Sequence, residues 1–216
     1  LPHMLPTQKA WEKIMSSLGI NNNDDILIYD NSDLKSSCRC WFSLLYFGHD
    51  EKKIHVLNGG LKKWIFENKP ITKNNTKIIE SNYVANEKGN LVISLDQVKK
   101  NIFSKSFDVI DARSIKRFEG KVSEPREGLR SGHIQNSFCL PFNLCINQKT
   151  GEFKNLEELK ELFNQRENIE KILDPVFTCG SGVTAAVLAY AYKMVNNDYI
   201  PKIYDGSWSE YGKYPA

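Results

Sequence analysis

The chain has 216 residues, of which 41% are hydrophobic and 25% are charged, a composition typical of a globular protein and not of a disordered one. The 29 basic and 26 acidic residues leave a net charge of +3, which is too balanced to indicate nucleic-acid binding. The longest apolar runs are far shorter than the roughly 20 residues that cross a bilayer, so no membrane association is expected.

The first predicted elements lie between residues 26 and 64. Residues 26–30 form a short apolar run that predicts a buried strand, and an apolar helix is predicted over residues 40–47. A second strand is predicted at residues 54–57, followed by a Gly-Gly turn and Trp64. Alternating strands and helices are typical of a parallel α/β sheet.

Residues 71–93 are rich in Asn, Lys and Glu and are predicted to link two units. Beyond this linker, the pattern predicts a helix over residues 95–101, a strand over 107–110 and a helix near 156–164. The predicted organisation is therefore a first unit at residues 1–70, a linker at 71–93 and a second unit at 94–216.

The end of the second unit repeats the order of the first. A strand at residues 175–179, a helix at 183–194 and a strand at 203–204 are again followed by a glycine turn and an aromatic residue. Aligning the two segments pairs Asp30 with Cys179, an offset of 149, and Gly59 with Gly206, an offset of 147. The near-equal offsets indicate a duplication. The first unit lacks a counterpart of the second unit's front part, so we expect roughly 65 residues before Leu1.

Residues 178–186 carry the clearest chemical signal. A cysteine, Cys179, ends a predicted buried strand, and Gly-Ser-Gly then leads into a helix of small apolar residues. Glycines allow a tight turn with several inward-pointing N–H groups, and the helix N-terminus adds positive charge. Such a pocket favours the thiolate, which is the nucleophilic form of cysteine.

The other cysteines lack such surroundings and are predicted to be inert. Their odd total of five argues against a disulfide scaffold, and no second Cys or His pair stands at zinc-ligand spacing, so neither a metal nor another cofactor is expected. Phosphatase chemistry is disfavoured, because the sixth position after Cys179 is Ala185 and not the arginine that would clamp phosphate. The four are Cys38, Cys40, Cys139 and Cys145.

At these residues the sequence resembles the 3-mercaptopyruvate sulfurtransferases of the two-repeat rhodanese superfamily. The loop at residues 179–184 is similar to the active loop of that family, and supporting motifs follow in the right order along nearly the whole chain. They lie at residues 3–6, 111–114, 117–118, 124–126, 132–134 and 204–208. The resemblance implies an α/β fold of tandem rhodanese-like units, the first one truncated at its N-terminus.

The resemblance also implies a mechanism and a set of residues. Cys179 would take sulfur from 3-mercaptopyruvate as a persulfide, release pyruvate, and pass the sulfur to a thiol acceptor such as thioredoxin, or to cyanide in an assay. Ser181 and His3 would assist proton transfer together with an aspartate upstream of Leu1. The first unit, with Asp30 at the position of the cysteine, would carry no sulfur. The residues implied to bind the donor or its sulfur are Arg117, Arg126, Gly180, Gly182, Val183 and Thr184.

Two other functions stay open at this stage. A thiosulfate sulfurtransferase is one, although thiosulfate-preferring members carry a basic pair where this chain has Gly180 and Ser181. A non-catalytic module that binds a partner or senses redox state is the other. The sequence is compatible with either a cytoplasmic or a mitochondrial location.

Overall fold

A computed structural model of the protein describes residues 1–164 and 173–213, which form two parallel sheets flanked by helices. The strands are β1 (Ile26–Ile28), β2 (Ile54–Val56), β3 (Val92–Ile93), β4 (Val109–Asp111), β5 (Phe138–Cys139), β6 (Val176–Thr178) and β7 (Ile203–Tyr204). The helices are α1 (Gln8–Ser17), α2 (Ser37–Tyr46), α3 (Gly60–Phe66), α4 (Leu95–Ser104), α5 (Ile115–Phe118), α6 (Leu156–Asn164), α7 (Ala185–Val195) and α8 (Ser207–Tyr211). No helix in this part of the chain has both the length and the apolar character of a membrane span.

In the first unit, β1 and β2 pair in parallel, with Ile26 opposite Ile54. Helix α2 packs on both strands. Helix α1, which the sequence analysis did not predict, buries Trp11 and Met15 one turn apart, and the Trp11 ring stacks on Phe47 at 4.8 Å. These contacts give the unit a hydrophobic core on the helical side of its sheet.

The second unit is a five-stranded parallel sheet in the order β3-β7-β6-β4-β5. All three residues of the central strand β6 are buried, as expected for a strand covered on both faces. Strand β3 lies at the edge of this sheet. Residues 71–93 include Val92 and Ile93, which pair with Ile203 and Tyr204 and so belong to the second sheet.

The predicted duplication is confirmed by equivalent hydrogen bonds. The order β1, α2, β2, α3 in the first unit matches β6, α7, β7, α8 in the second. The N–H of Leu61 donates to the carbonyl of Asp30 at 2.9 Å, and the N–H of Trp208 donates to the carbonyl of Cys179, also at 2.9 Å. Asp30 therefore occupies in the first unit the place that Cys179 occupies in the second.

The two units share one core. Helices α2 and α7 are in contact, and the rings of Trp41 and Tyr190 meet edge to face at 5.0 Å. Apolar residues of both helices are buried in the same cluster. Removing side-chain volume from α7 should consequently destabilise the whole molecule.

We expect Leu188→Ala to lower the free energy of unfolding by about 2–5 kcal/mol, because Leu188 is fully buried and its loss leaves a cavity. Urea denaturation followed by circular dichroism would measure the change. Leu18→Ala is the matched control, since Leu18 is 51% exposed at the end of α1 and should change stability by less than about 0.5 kcal/mol. Equal losses in the two variants would contradict the placement of α7 at the centre of the core.

Candidate active site

The chain turns sharply between β6 and α7, and Cys179 is the first residue of that turn. Gly182 has φ of +82°, a left-handed conformation that favours glycine. The N–H of Cys179 donates to Ser207 Oγ at 3.3 Å, so the first residue of α8 helps to hold the turn. Two serine contacts reinforce this, because the N–H and the Oγ of Ser209 both bond to the carbonyl of Gly180.

Cys179 is buried at this turn and packs against the hydrophobic core. The N–H of Ser181 donates to Sγ at 3.4 Å. The neighbouring N–H groups of Gly182, Val183 and Thr184 donate to no residue of the described ranges 1–164 and 173–213. Unsatisfied N–H groups at a helix N-terminus are suited to holding an anion. The turn thus places one amide on the sulfur and leaves three others available to a negatively charged group.

The remaining cysteines lie in different surroundings. Burial raises the pKa of Cys145 to about 12 and the pKa of Cys139 to about 12. Burial also raises the pKa of Cys38, which is fully inaccessible in the core. At neutral pH these three thiols stay protonated and are poor nucleophiles. Cys40 is exposed on α2.

Two arginines converge on the loop that follows Cys179. A methyl group built on Gly180 would lie 3.1 Å from Arg117 Nη2 and 3.5 Å from Arg126 Nη1. Arg126 Nη2 also donates to Ser181 Oγ at 3.3 Å. The structure therefore brings together the two arginines singled out in the sequence, and the absence of a side chain at Gly180 lets them approach the loop.

The two guanidinium groups differ in their partners. Arg117 donates twice to Glu124, at 3.2 and 2.5 Å. The buried Glu124 is shared with Arg113, which also pairs with Asp111. Arg126 has no carboxylate partner among the described residues. Arg126 is thus the arginine whose charge is free to meet an incoming anion.

Ser181 connects the two units. His3 Nδ1, from the first unit, lies 2.8 Å from Ser181 Oγ. Ser181 is buried, and its hydroxyl is placed between an imidazole and the Arg126 guanidinium. A hydroxyl in this position can give or accept a proton while the guanidinium holds a neighbouring oxygen.

His49, His133 and Arg113 make structural contacts away from the sulfur. His133 stacks on Phe118 at 4.0 Å and its Nδ1 lies 2.9 Å from the Phe118 carbonyl. His49 is buried against Tyr83 and the carbonyl of Asp24. Arg113 is enclosed by its carboxylates and lies over the Trp208 ring at 4.4 Å.

Two polar residues next to the site were not predicted as functional. Arg39 of α2 pairs with Asp205, which follows β7, at 2.6 Å. They are 166 positions apart in the chain, so no spacing rule joins them. Their burial beside Gly182 could be found only from the fold.

The chain matches the family model described as a rhodanese-like domain over residues 2–67 and 94–214. It is 37% identical over 236 residues to "Thiosulfate/3-mercaptopyruvate sulfurtransferase 1, mitochondrial" of Arabidopsis thaliana, covering 100% of this chain and 61% of that protein. It is 34% identical to human 3-mercaptopyruvate sulfurtransferase, covering 97% of this chain and 69% of that protein. The crystal structure of the 3-mercaptopyruvate sulfurtransferase SseA from Escherichia coli superposes with a TM-score of 0.83 at 32% identity, covering 97% of this chain and 76% of that one.

Proposed function

Because the chain belongs to the rhodanese family of sulfurtransferases, we propose that it transfers sulfur from 3-mercaptopyruvate through a persulfide on Cys179. The chain spans 61% of the length of the plant relative. One observation carries the proposal: Arg126, which has no carboxylate partner among the described residues, reaches the hydroxyl of Ser181 two residues after the cysteine. That arrangement fits a donor bearing a carboxylate close to its sulfur.

The proposed first half-reaction moves one neutral sulfur atom. The Cys179 thiolate attacks the donor sulfur and forms an S–S bond, while the C–S bond of 3-mercaptopyruvate breaks. The electron pair of that bond stays on carbon as the enolate of pyruvate, which takes up one proton. Cys179 is left as a persulfide, so this is covalent catalysis in two steps.

The roles of the side chains follow from their positions. Arg126 and Arg117 would hold the donor carboxylate and keto oxygen, since guanidinium groups bind paired oxygens well. Ser181 would donate a hydrogen bond to the enolate oxygen as charge develops there, with His3 orienting the hydroxyl. The N–H groups of Gly180, Gly182, Val183 and Thr184 would stabilise the negative persulfide.

In the second half-reaction, an acceptor thiolate attacks the outer sulfur, and Cys179 leaves as a thiolate. A small protein dithiol such as thioredoxin would serve as acceptor. The described cysteines are all free thiols, which suits a compartment that keeps thiols reduced, such as the cytoplasm or the mitochondrion.

Mass spectrometry tests the proposal against a non-catalytic binding module. After incubation with 3-mercaptopyruvate, the chain should carry one added sulfur atom, and peptide mapping should place it on Cys179. Peptides containing Cys139 and Cys145 serve as internal controls, because their thiols stay protonated. A chain that gains no sulfur would support the binding module.

A thiosulfate sulfurtransferase is the second candidate, since the name of the plant relative includes both donors. We expect a higher kcat/KM with 3-mercaptopyruvate, because residues 180–184 include no basic side chain to meet the second charge of thiosulfate. Initial rates with both donors and cyanide as the acceptor measure this. Faster turnover of thiosulfate would overturn the choice of donor.

A further inference from the structure

Arg39 reaches from the first unit into the turn that carries the cysteine. Its Nη2 donates to Asp205 Oδ1 at 2.6 Å and to the carbonyl of His3 at 2.8 Å. Its Nη1 lies 3.5 Å from the carbonyl of Gly182. The side chains of Arg39 and Asp205 are only 12% and 3% exposed, so this ion pair is shielded from solvent, where the attraction between the two charges is stronger than in water.

Asp205 completes the connection from the second unit. Its other oxygen, Oδ2, accepts a hydrogen bond from the N–H of Leu5 at 2.9 Å. The backbone on both sides of the segment from His3 to Leu5 is therefore fixed, by Arg39 at the His3 carbonyl and by Asp205 at the Leu5 amide. We call this pair of residues the Arg39–Asp205 clasp.

The clasp holds His3 in a conformation that the free chain rarely adopts. His3 has φ of +60°, in the left-handed region, which a residue other than glycine keeps only when its surroundings impose it. The clasp also packs on the turn, since a methyl group built on Gly182 would lie 3.0 Å from Asp205 Oδ1 and 3.1 Å from Arg39 Nη1. The same two side chains thus fix the backbone of His3 and border the loop that carries Ser181.

We infer that Arg39 and Asp205 are positioning residues, which hold the imidazole of His3 on the hydroxyl of Ser181 and so complete the site only when the two units are docked. The inference rests on the proposed function, because it assigns the pair a part in that reaction. Neither residue touches the sulfur, and both act through His3.

If the Arg39–Asp205 clasp only connected the two units, any other connection between them would serve equally well as a test. The chain offers such a connection as a matched control. Lys63 of α3 pairs with Glu152 of the second unit, and neither contacts the turn at residues 179–184. Lys63→Met removes a connection between the units without touching His3. We expect it to leave turnover unchanged.

The position of His3 is tested first by NMR, which needs no activity. In the wild-type protein, the imidazole signals of His3 should shift when Ser181 is replaced by alanine. In Arg39→Ala they should sharpen toward those of a mobile histidine and no longer respond to Ser181→Ala. A His3 signal that still responds in the Arg39 variant would overturn the inference. Asp205→Asn, which keeps the side-chain shape, provides the same reading if Arg39→Ala does not fold.

A double-mutant cycle then tests the part in catalysis. We expect Arg39→Ala to lower kcat for 3-mercaptopyruvate by about 10²-fold, with KM changed by less than about 3-fold. In a His3→Ala background, the same substitution should lower kcat by less than about 2-fold, because its effect passes through His3. If the losses in kcat caused by Arg39→Ala and His3→Ala instead multiplied in the double variant, the inference would be overturned. Absence of sulfur transfer by the wild-type chain would instead refute the proposed function, and the NMR result would still decide the placement of His3.

Discussion

Replacing Cys179 by serine is expected to lower turnover of 3-mercaptopyruvate by about 10⁶-fold, the scale seen when a covalent nucleophile is removed. Serine preserves the volume at this buried position and leaves the backbone bonds to Ser207 and Trp208 in place. Its oxygen cannot take up and release a sulfur atom. The loss should therefore appear in chemistry and not in folding, and steady-state rates combined with a thermal melt would measure both.

The control for this variant is Cys40→Ser. Cys40 is exposed and lies on α2, so its replacement should change neither sulfur loading nor turnover. Residual loading of the Cys179→Ser chain would show that another thiol carries sulfur. The raised pKa values of Cys139 and Cys145 make that outcome unexpected.

In the first unit, the equivalent turn holds the side chain of Asp30 in place of a thiol. The carboxylate of Asp30 accepts hydrogen bonds from the N–H groups of Ser37 at 2.7 Å and Ser32 at 3.1 Å. Ser37 is the first residue of α2, as Ala185 is of α7. The turn before the helix thus binds a carboxylate in the first unit. In the second unit, the N–H groups of Gly182, Val183 and Thr184 are left for the charge that a persulfide would bring.

The parts of the fold that the sequence predicted share strong local patterns. Strand β6 and most of helix α7 are buried apolar runs, so hydrophobicity alone identifies them. Strands β1 and β2 were placed correctly, but β1 is not the buried strand that its apolar run predicted, since Leu27 is 56% exposed. Strand β3 was missed because it has only two residues after a polar segment, and pairing with β7 defines it. Helices α5 and α8 are short, with 4 and 5 residues, and tertiary contacts decide such turns more than propensity does.

The candidate site was also predicted only in part from the sequence. The loop after Cys179 was found because glycines at a strand-to-helix turn leave a local signal. The different partners of Arg117 and Arg126 could not be found, since a shared carboxylate such as Glu124 becomes evident only when Arg113 is folded against it. The sequence could propose both arginines as donor ligands but could not rank them.

The different partners of Arg126 and Arg117 lead to the second prediction with a large effect. Arg126→Ala should raise KM for 3-mercaptopyruvate by about 10²-fold, because two charge-assisted hydrogen bonds of about 1.5 kcal/mol each would be lost. Arg117→Ala should raise KM less, since Glu124 already neutralises Arg117 and stays paired with Arg113 after its removal. Steady-state kinetics at saturating cyanide would measure both.

Arg126→Lys separates charge from geometry at the same position. A lysine keeps the positive charge but cannot hold two oxygens side by side, so its KM should fall between those of the wild type and Arg126→Ala. An unchanged KM in Arg126→Ala would mean that the donor carboxylate binds elsewhere. A larger rise in Arg117→Ala than in Arg126→Ala would mean that the ion pair with Glu124 opens when the donor enters, and that Arg117 is the principal donor ligand.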